Sequence, residues 1–160
     1  MAENSNYLTI MAESLSKKIE ILEQLLEYTR GQETLLEEEE FRMEEFQELL
    51  DKKGELIDVL NTMDKGFEQV YERIEEEIQG KKEAYASEIV LMQQRIKTIT
   101  DLSVKLQELE YKNKEKIEVH FLKKRNEIKT FRQSKDNVNK YYRAMSKTQV
   151  VDSAFLDKKN

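Results

Sequence analysis

Three long apolar seams, with no proline anywhere to break them, constrain this chain more than any other feature. Proline removes a backbone N–H and clashes with the preceding turn, so its absence leaves long helices unopposed. The first seam runs Leu8, Met11, Leu15, Ile19, Leu22, Leu26 and Thr29, and stays readable to Leu36 despite Gly31. The second runs Met43, Phe46, Leu50, Ile57, Leu60, Met63, Phe67, Val70, Ile74 and Ile78, widened by Leu49, Leu56 and Tyr71. The third runs Tyr85, Ile89, Met92, Ile96, Ile99, Leu102, Leu106, Leu109, Asn113, Ile117 and Phe121, then Ile128 and Phe131. Steps of three and four residues place each set on one face of an α-helix.

These seams predict an all-α fold of one domain, residues 1–160. Three long antiparallel helices form an up-down-up, coiled-coil-like bundle: helix one about 5–36, helix two about 42–79, helix three about 83–133. Asn4, Ser5 and Asn6 offer capping oxygens for the first helix. The acidic run Glu37–Glu40 falls where apolar residues are due, and a turn is expected within residues 37–42. Gly80 suits a left-handed helix end, with a turn over residues 79–83. Gly54 and Gly66 fall inside the second seam, which is expected to continue through them. A bend near Thr100 is left open. Residues 134–160 form a loosely structured tail.

Charged residues make up 38% of the chain and hydrophobic ones another 38%, a balance that suits helices sharing narrow seams. Residues 1–80 carry 22 acidic and 8 basic side chains, and residues 81–160 carry 11 and 19. The simplest reading is that a basic helix folds back beside acidic ones. A basic half can also mark nucleic-acid binding, but no nucleic-acid motif accompanies Lys112–Lys147 and no such partner is expected. No apolar run reaches the roughly 20 residues that span a bilayer. The first residues lack a basic stretch followed by an apolar one, so no secretory signal and a cytoplasmic location are expected.

Catalysis is not expected. There is no cysteine, and the single histidine, His120, flanks the third seam. No glycine-rich phosphate loop or metal-ligand spacing is present, so neither cofactor nor metal is expected. Asn113 stands on a seam where Leu or Ile is due. Either it is a buried register-setting residue, or the seam rotates so that Lys116, Ile117 and Val119 share the contact.

The third seam outlasts the helices available to cover it. Its surplus, with the aromatics that follow, is expected to receive a partner: Phe121, Ile128, Phe131, Tyr141, Tyr142 and Phe155. An apolar stripe without an intramolecular cover is a binding surface or a homodimer seam. Lys123, Lys124 and Arg125 beside it are expected to act on association rate.

Residues 28–74, from "YTRGQETLLEEEEF" to "KKGELIDVLNTMDKGFEQVYERI", resemble the FlgN-like flagellar export chaperones of Firmicutes. The matching features are a Thr-x-x-Gln segment, a short acidic turn, and Lys52, Lys53, Leu60, Asn61, Asp64, Phe67, Tyr71 and Arg73 in the helix that follows. Residues 106–121, including Asn113, resemble the family's third helix, and "DSAFLDKK" resembles its tail. Gly54 and Arg42 depart from the pattern. The resemblance implies a non-enzymatic chaperone of the flagellar type III export system. It implies binding to the C-terminal segments of hook-associated proteins, protection from premature assembly, and delivery to the export gate, which Tyr141 and Tyr142 would serve. A chaperone of similar build for the filament cap protein, and a structural coiled-coil adaptor, stay open as alternatives.

Overall fold

A computed structural model describes residues 2–123 and 128–147, with side chains described from residue 7 onward except those of 77 and 128–131. Among the described residues the chain is all-helical and has no strand. It forms α1 (Ala2–Glu37), α2 (Met43–Gly80), α3 (Ala86–Lys123) and α4 (Ile128–Lys147), packed as a helical bundle.

The helix ends follow local chemistry. α1 begins at Ala2, so Asn4, Ser5 and Asn6 lie inside the helix instead of capping it. The acidic run closes α1 and opens the expected turn. Arg42 bridges that turn, donating to Glu38 at 3.1 Å and Glu45 at 2.6 Å, while its carbonyl accepts from Phe46 N at 3.2 Å. Glu44 and Glu45 in the first turn of α2 favour its positive end. α2 then runs unbroken through Gly54 and Gly66, and a side chain at either would meet open space.

Gly80 ends α2 without the expected left-handed turn, since no glycine has a positive φ. The connection is made by short-range bonds instead, Lys81 N to Ile78 O at 3.3 Å and Ala84 N to Lys81 O at 3.0 Å. They tighten the last turn and satisfy carbonyls a left-handed residue would otherwise serve. The turn is therefore displaced to residues 81–85.

Cross-helix bonds fix which parts of the chain meet. Climbing α1, its partners descend α2: Lys18 pairs with Asp64, Thr29 with Lys53, Gln32 with Phe46. Its partners on α3 climb: Ala12 with Arg95, Thr29 with Asn113, Glu37 with Lys116. α1 is thus the shared neighbour of α2 and α3, and these contacts are consistent with an up-down-up course. Leu8, Leu22, Leu25, Phe46, Leu60 and Leu106 are sealed in the core, at no more than 1% exposure. Each such burial contributes roughly 1.5–3 kcal/mol.

The third helix and the tail differ from expectation. Tyr141 donates a hydrogen bond to Glu110 at 2.5 Å. A third helix unbroken through residue 133 would carry that residue about 34 Å from Glu110. The eight residues onward to Tyr141 are helical, about 12 Å long, and too short to return. α3 accordingly ends at Lys123 and α4 runs back beside it, with 13 residues on each leg between the ends and the Tyr141–Glu110 contact. Residues 134–147, expected as a loose tail, belong to this fourth helix, which packs on both α2 and α3. Residues 148–160 lie outside the described residues.

Candidate functional site

Where the four helices converge, the core turns polar. Each helix contributes at least one residue: Thr29 from α1, Lys53 from α2, Glu110 and Asn113 from α3, and Tyr141 from α4. Lys53 occupies the seam position between Leu50 and Ile57, three residues after one and four before the other. Its side chain therefore points inward by the same periodicity that buries its neighbours.

Lys53 is fully buried, and its ammonium is enclosed by partners. Nζ donates to Glu110 Oε1 at 2.6 Å and to Thr29 Oγ1 at 3.1 Å. It also stands 4.6 Å from the centre of the Tyr141 ring, within cation–π range. Thr29 in turn donates to the Leu25 carbonyl at 2.6 Å. Glu110 uses its second oxygen to accept from Tyr141. Asn113 donates from Nδ2 to the Thr29 carbonyl at 3.0 Å. Gln32, one turn further along α1, donates to the Phe46 carbonyl at 3.2 Å, beyond the α1–α2 turn.

Burial dominates the electrostatics. Desolvation holds the Lys53 ammonium below the ordinary lysine range, and the neighbouring Glu110 carboxylate recovers part of that shift. Desolvation also pushes the Tyr141 hydroxyl well above the ordinary tyrosine value, and the Glu110 charge and hydrogen bond add to it. Tyr142 rises for the same two leading causes, burial and then the Glu110 charge. Removing an ion from water costs several kcal/mol. One close carboxylate with good geometry, a hydroxyl and an aromatic face together offset that cost. The layer ties all four helices together, since each contributes at least one of its bonded members.

Asn113 is buried and hydrogen-bonded across helices, as the reading that keeps it on the buried seam expects. Its Oδ1, the Oε1 of Gln32 and the hydroxyl of Tyr142 are buried without a protein partner. His120 stacks on Phe41 at 4.3 Å and 23°, which fastens the α1–α2 turn to the end of α3. Among the described residues no group of three metal-ligating side chains clusters, and no helix is long and apolar enough to cross a membrane.

The residues expected to receive a partner are distributed differently from expectation. Phe121, Tyr141 and Tyr142 are buried in the chain, at 8, 6 and 8% exposure. The expectation that they have the least intramolecular cover is corrected for these three residues, and Tyr141 and Tyr142 lie on a helix that packs on α2 and α3. Tyr141 and Tyr142 pack edge to face at 5.3 Å. The side chains of Ile128 and Phe131, and all of Phe155, lie outside the described residues. Sequence periodicity missed Lys53, Glu110 and Thr29 as a group. The available signal was a lysine inside an apolar seam. No family model, curated protein or solved structure matches this chain.

Proposed function

We propose that this protein is a non-enzymatic cytoplasmic chaperone of flagellar type III export. It binds the C-terminal helical segment of hook-associated proteins, prevents their premature assembly and delivers them to the export gate. In this reading α1, α2, α3 and α4 run up-down-up-down as one antiparallel bundle.

The observation that carries the reading is where the family-like residues fall. Thr29 and Gln32, Lys53, and Asn113 come from separate stretches of the chain, each part of the resemblance. Thr29, Lys53 and Asn113 meet in one buried layer and hydrogen-bond across helices, and Gln32, one turn further along α1, bonds the Phe46 carbonyl of α2. Long charged helices imitate one another easily in sequence, and the meeting of positions from separate family-like stretches supports the reading. The partner is a helix that would otherwise polymerise, and a helical scaffold receives such a segment through apolar anchors at helical spacing.

Client contact is assigned to the C-terminal third, from about residue 120 onward. Its described aromatics also hold the scaffold together, so deleting the whole region would confuse folding with capture. The test is co-purification of the full chain with C-terminal fragments of hook-associated proteins and of the filament cap protein. Phe155→Ala is compared with the unsubstituted chain, with circular dichroism on the same samples. Stoichiometric capture of a hook-associated fragment, weakened by Phe155→Ala at unchanged helicity, is expected. Capture of the cap fragment alone transfers the reading to the cap-protein chaperone, and capture of neither removes it.

A further inference from the structure

Among the described residues, most of the exposed large apolar side chains stand on α3. At 3.6 residues per turn, Val90, Val104, Tyr111, Val119 and Leu122 fall within an arc of about 80°. That arc lies opposite the buried face formed by Ile99, Leu106 and Ile117. The side chains are 48 to 64% exposed, and the stripe extends along nearly the full length of the helix. The packing of α1 and α4 on α3 leaves this outward face uncovered.

We propose that this stripe is the seam of a homodimer, in which α3 of one copy packs antiparallel against α3 of a second. The charges interspersed in the same arc, Lys97, Asp101, Glu108 and Glu115, with Lys105 and Lys112 beside it, select that occupant. A two-fold axis near residue 106 sets Lys97 opposite Glu115, Asp101 beside Lys112, and Lys105 beside Glu108. Each pair occurs twice by symmetry, as an isologous interface requires. The same alignment brings Val90 to Leu122 and leaves Val104 and Tyr111 between the charged pairs. All six charged side chains are exposed.

A parallel pairing would instead face Lys97 with Lys97 and Glu115 with Glu115, which repel. An unrelated helix has no reason to match the order of charges on α3, whereas α3 reversed matches itself. The seam is distinct from the surplus stripe expected at residues 121–131. It does not rest on the export-chaperone reading: a dimer that captures no client, or a monomer that does, would separate the two.

The test is sedimentation equilibrium of the full chain over a range of concentrations. An apparent mass rising toward twice the 19.1 kDa of one chain is expected. Lys97→Glu sets two carboxylates opposite each other, and Glu115→Lys sets two ammonium groups opposite each other. Each alone is expected to weaken association about tenfold, the change made by about 1.4 kcal/mol. Mixing the two variants restores opposite charges at both ends of the seam and is expected to restore association. Circular dichroism of each variant, at unchanged helicity, shows that folding is not the cause. A monomer at all concentrations, or a mixture no stronger than the separate variants, overturns the proposal.

Discussion

Lys53 and Glu110 lie 2.6 Å apart, on helices that both pack against α1, with side chains 0% and 5% exposed. The contact joins the second quarter of the chain to the third and, through Tyr141, to α4. Several consequences can be measured.

Breaking the pair from one side is expected to cost more than removing it. Lys53→Met leaves Glu110 with Tyr141 as its remaining side-chain donor, and the loss of stability is expected at about 3–5 kcal/mol. The double variant Lys53→Met/Glu110→Leu replaces both ions with apolar groups and is expected to recover most of that loss. Urea unfolding of the two single variants and the double variant gives the coupling directly. Additive losses would mean the two charges are not held against each other.

Alkaline pH is expected to unfold the protein through its buried tyrosines. The Tyr141 hydroxyl has a raised folded-state pKa, so the unfolded chain gives up its proton first, near the ordinary value of 10.0. Tyr142 shifts in the same direction. The stability held by these protonated hydroxyls is complete below about pH 10 and is lost as pH rises beyond it. Lys53 acts oppositely, since its lowered pKa makes the folded state gain relative stability as pH rises toward 10.5. Replacing Tyr141 with Phe removes one tyrosine contribution. It costs about 1.5–3 kcal/mol at neutral pH, the worth of a hydrogen bond to a charged group. It is also expected to flatten the decline in urea midpoint above pH 10.

Asn113→Leu is expected to stabilise the fold. The Asn113 side chain is fully buried with Oδ1 unpartnered, whereas Leu would continue the seam between Leu109 and Ile117. An unsatisfied buried acceptor costs about 1–3 kcal/mol, against roughly 1 kcal/mol for the bond to Thr29 that is lost. A higher urea midpoint is therefore expected, and a lower one would show that the Thr29 contact outweighs the orphaned oxygen.

The glycines are expected to separate by their surroundings. At Gly54 and Gly66 a methyl group enters open space, so Ala is expected to add up to about 1 kcal/mol through helix propensity alone. At Gly31 the added carbon would stand 3.3 Å from Leu49 Cδ1, so Leu49 must give way and the gain is expected to shrink or reverse. Thermal midpoints of the three variants compare the effects.

Much of the fold is legible in the sequence because the seams and their interruptions are local. The acidic run Glu37–Glu40 stops one seam where a turn follows, and Gly54 and Gly66 are tolerated where neighbouring seam residues carry the helix. The fourth helix is not legible, for a specific reason. Ile128 and Phe131 continue the apolar spacing beyond Phe121 with neither Pro nor Gly between them, so periodicity alone reads one rod. The polar layer is hidden by distance in sequence. Lys53 and Glu110 are 57 residues apart, and only the register between helices reveals that they meet. Asn113 is visible as an anomaly because it interrupts an otherwise apolar run, and Lys53, between Leu50 and Ile57, is a second such signal.

The return of the chain after α3 brings Tyr141 into the polar layer and packs α4 on α2 and α3. It is tested most directly by a spin-label distance between Glu108→Cys and Arg143→Cys, both exposed positions in a chain with no natural cysteine, measured on labelled chain diluted in excess unlabelled, unsubstituted chain so that only distances within one chain are read. With α4 packed beside α3 at ordinary interhelical spacing, the labels are expected about 15–30 Å apart. A continuous helix through both sites would separate them by about 52 Å. A distance in the shorter range at undiminished helicity is the result predicted here, and a dominant distance near 50 Å would contradict it.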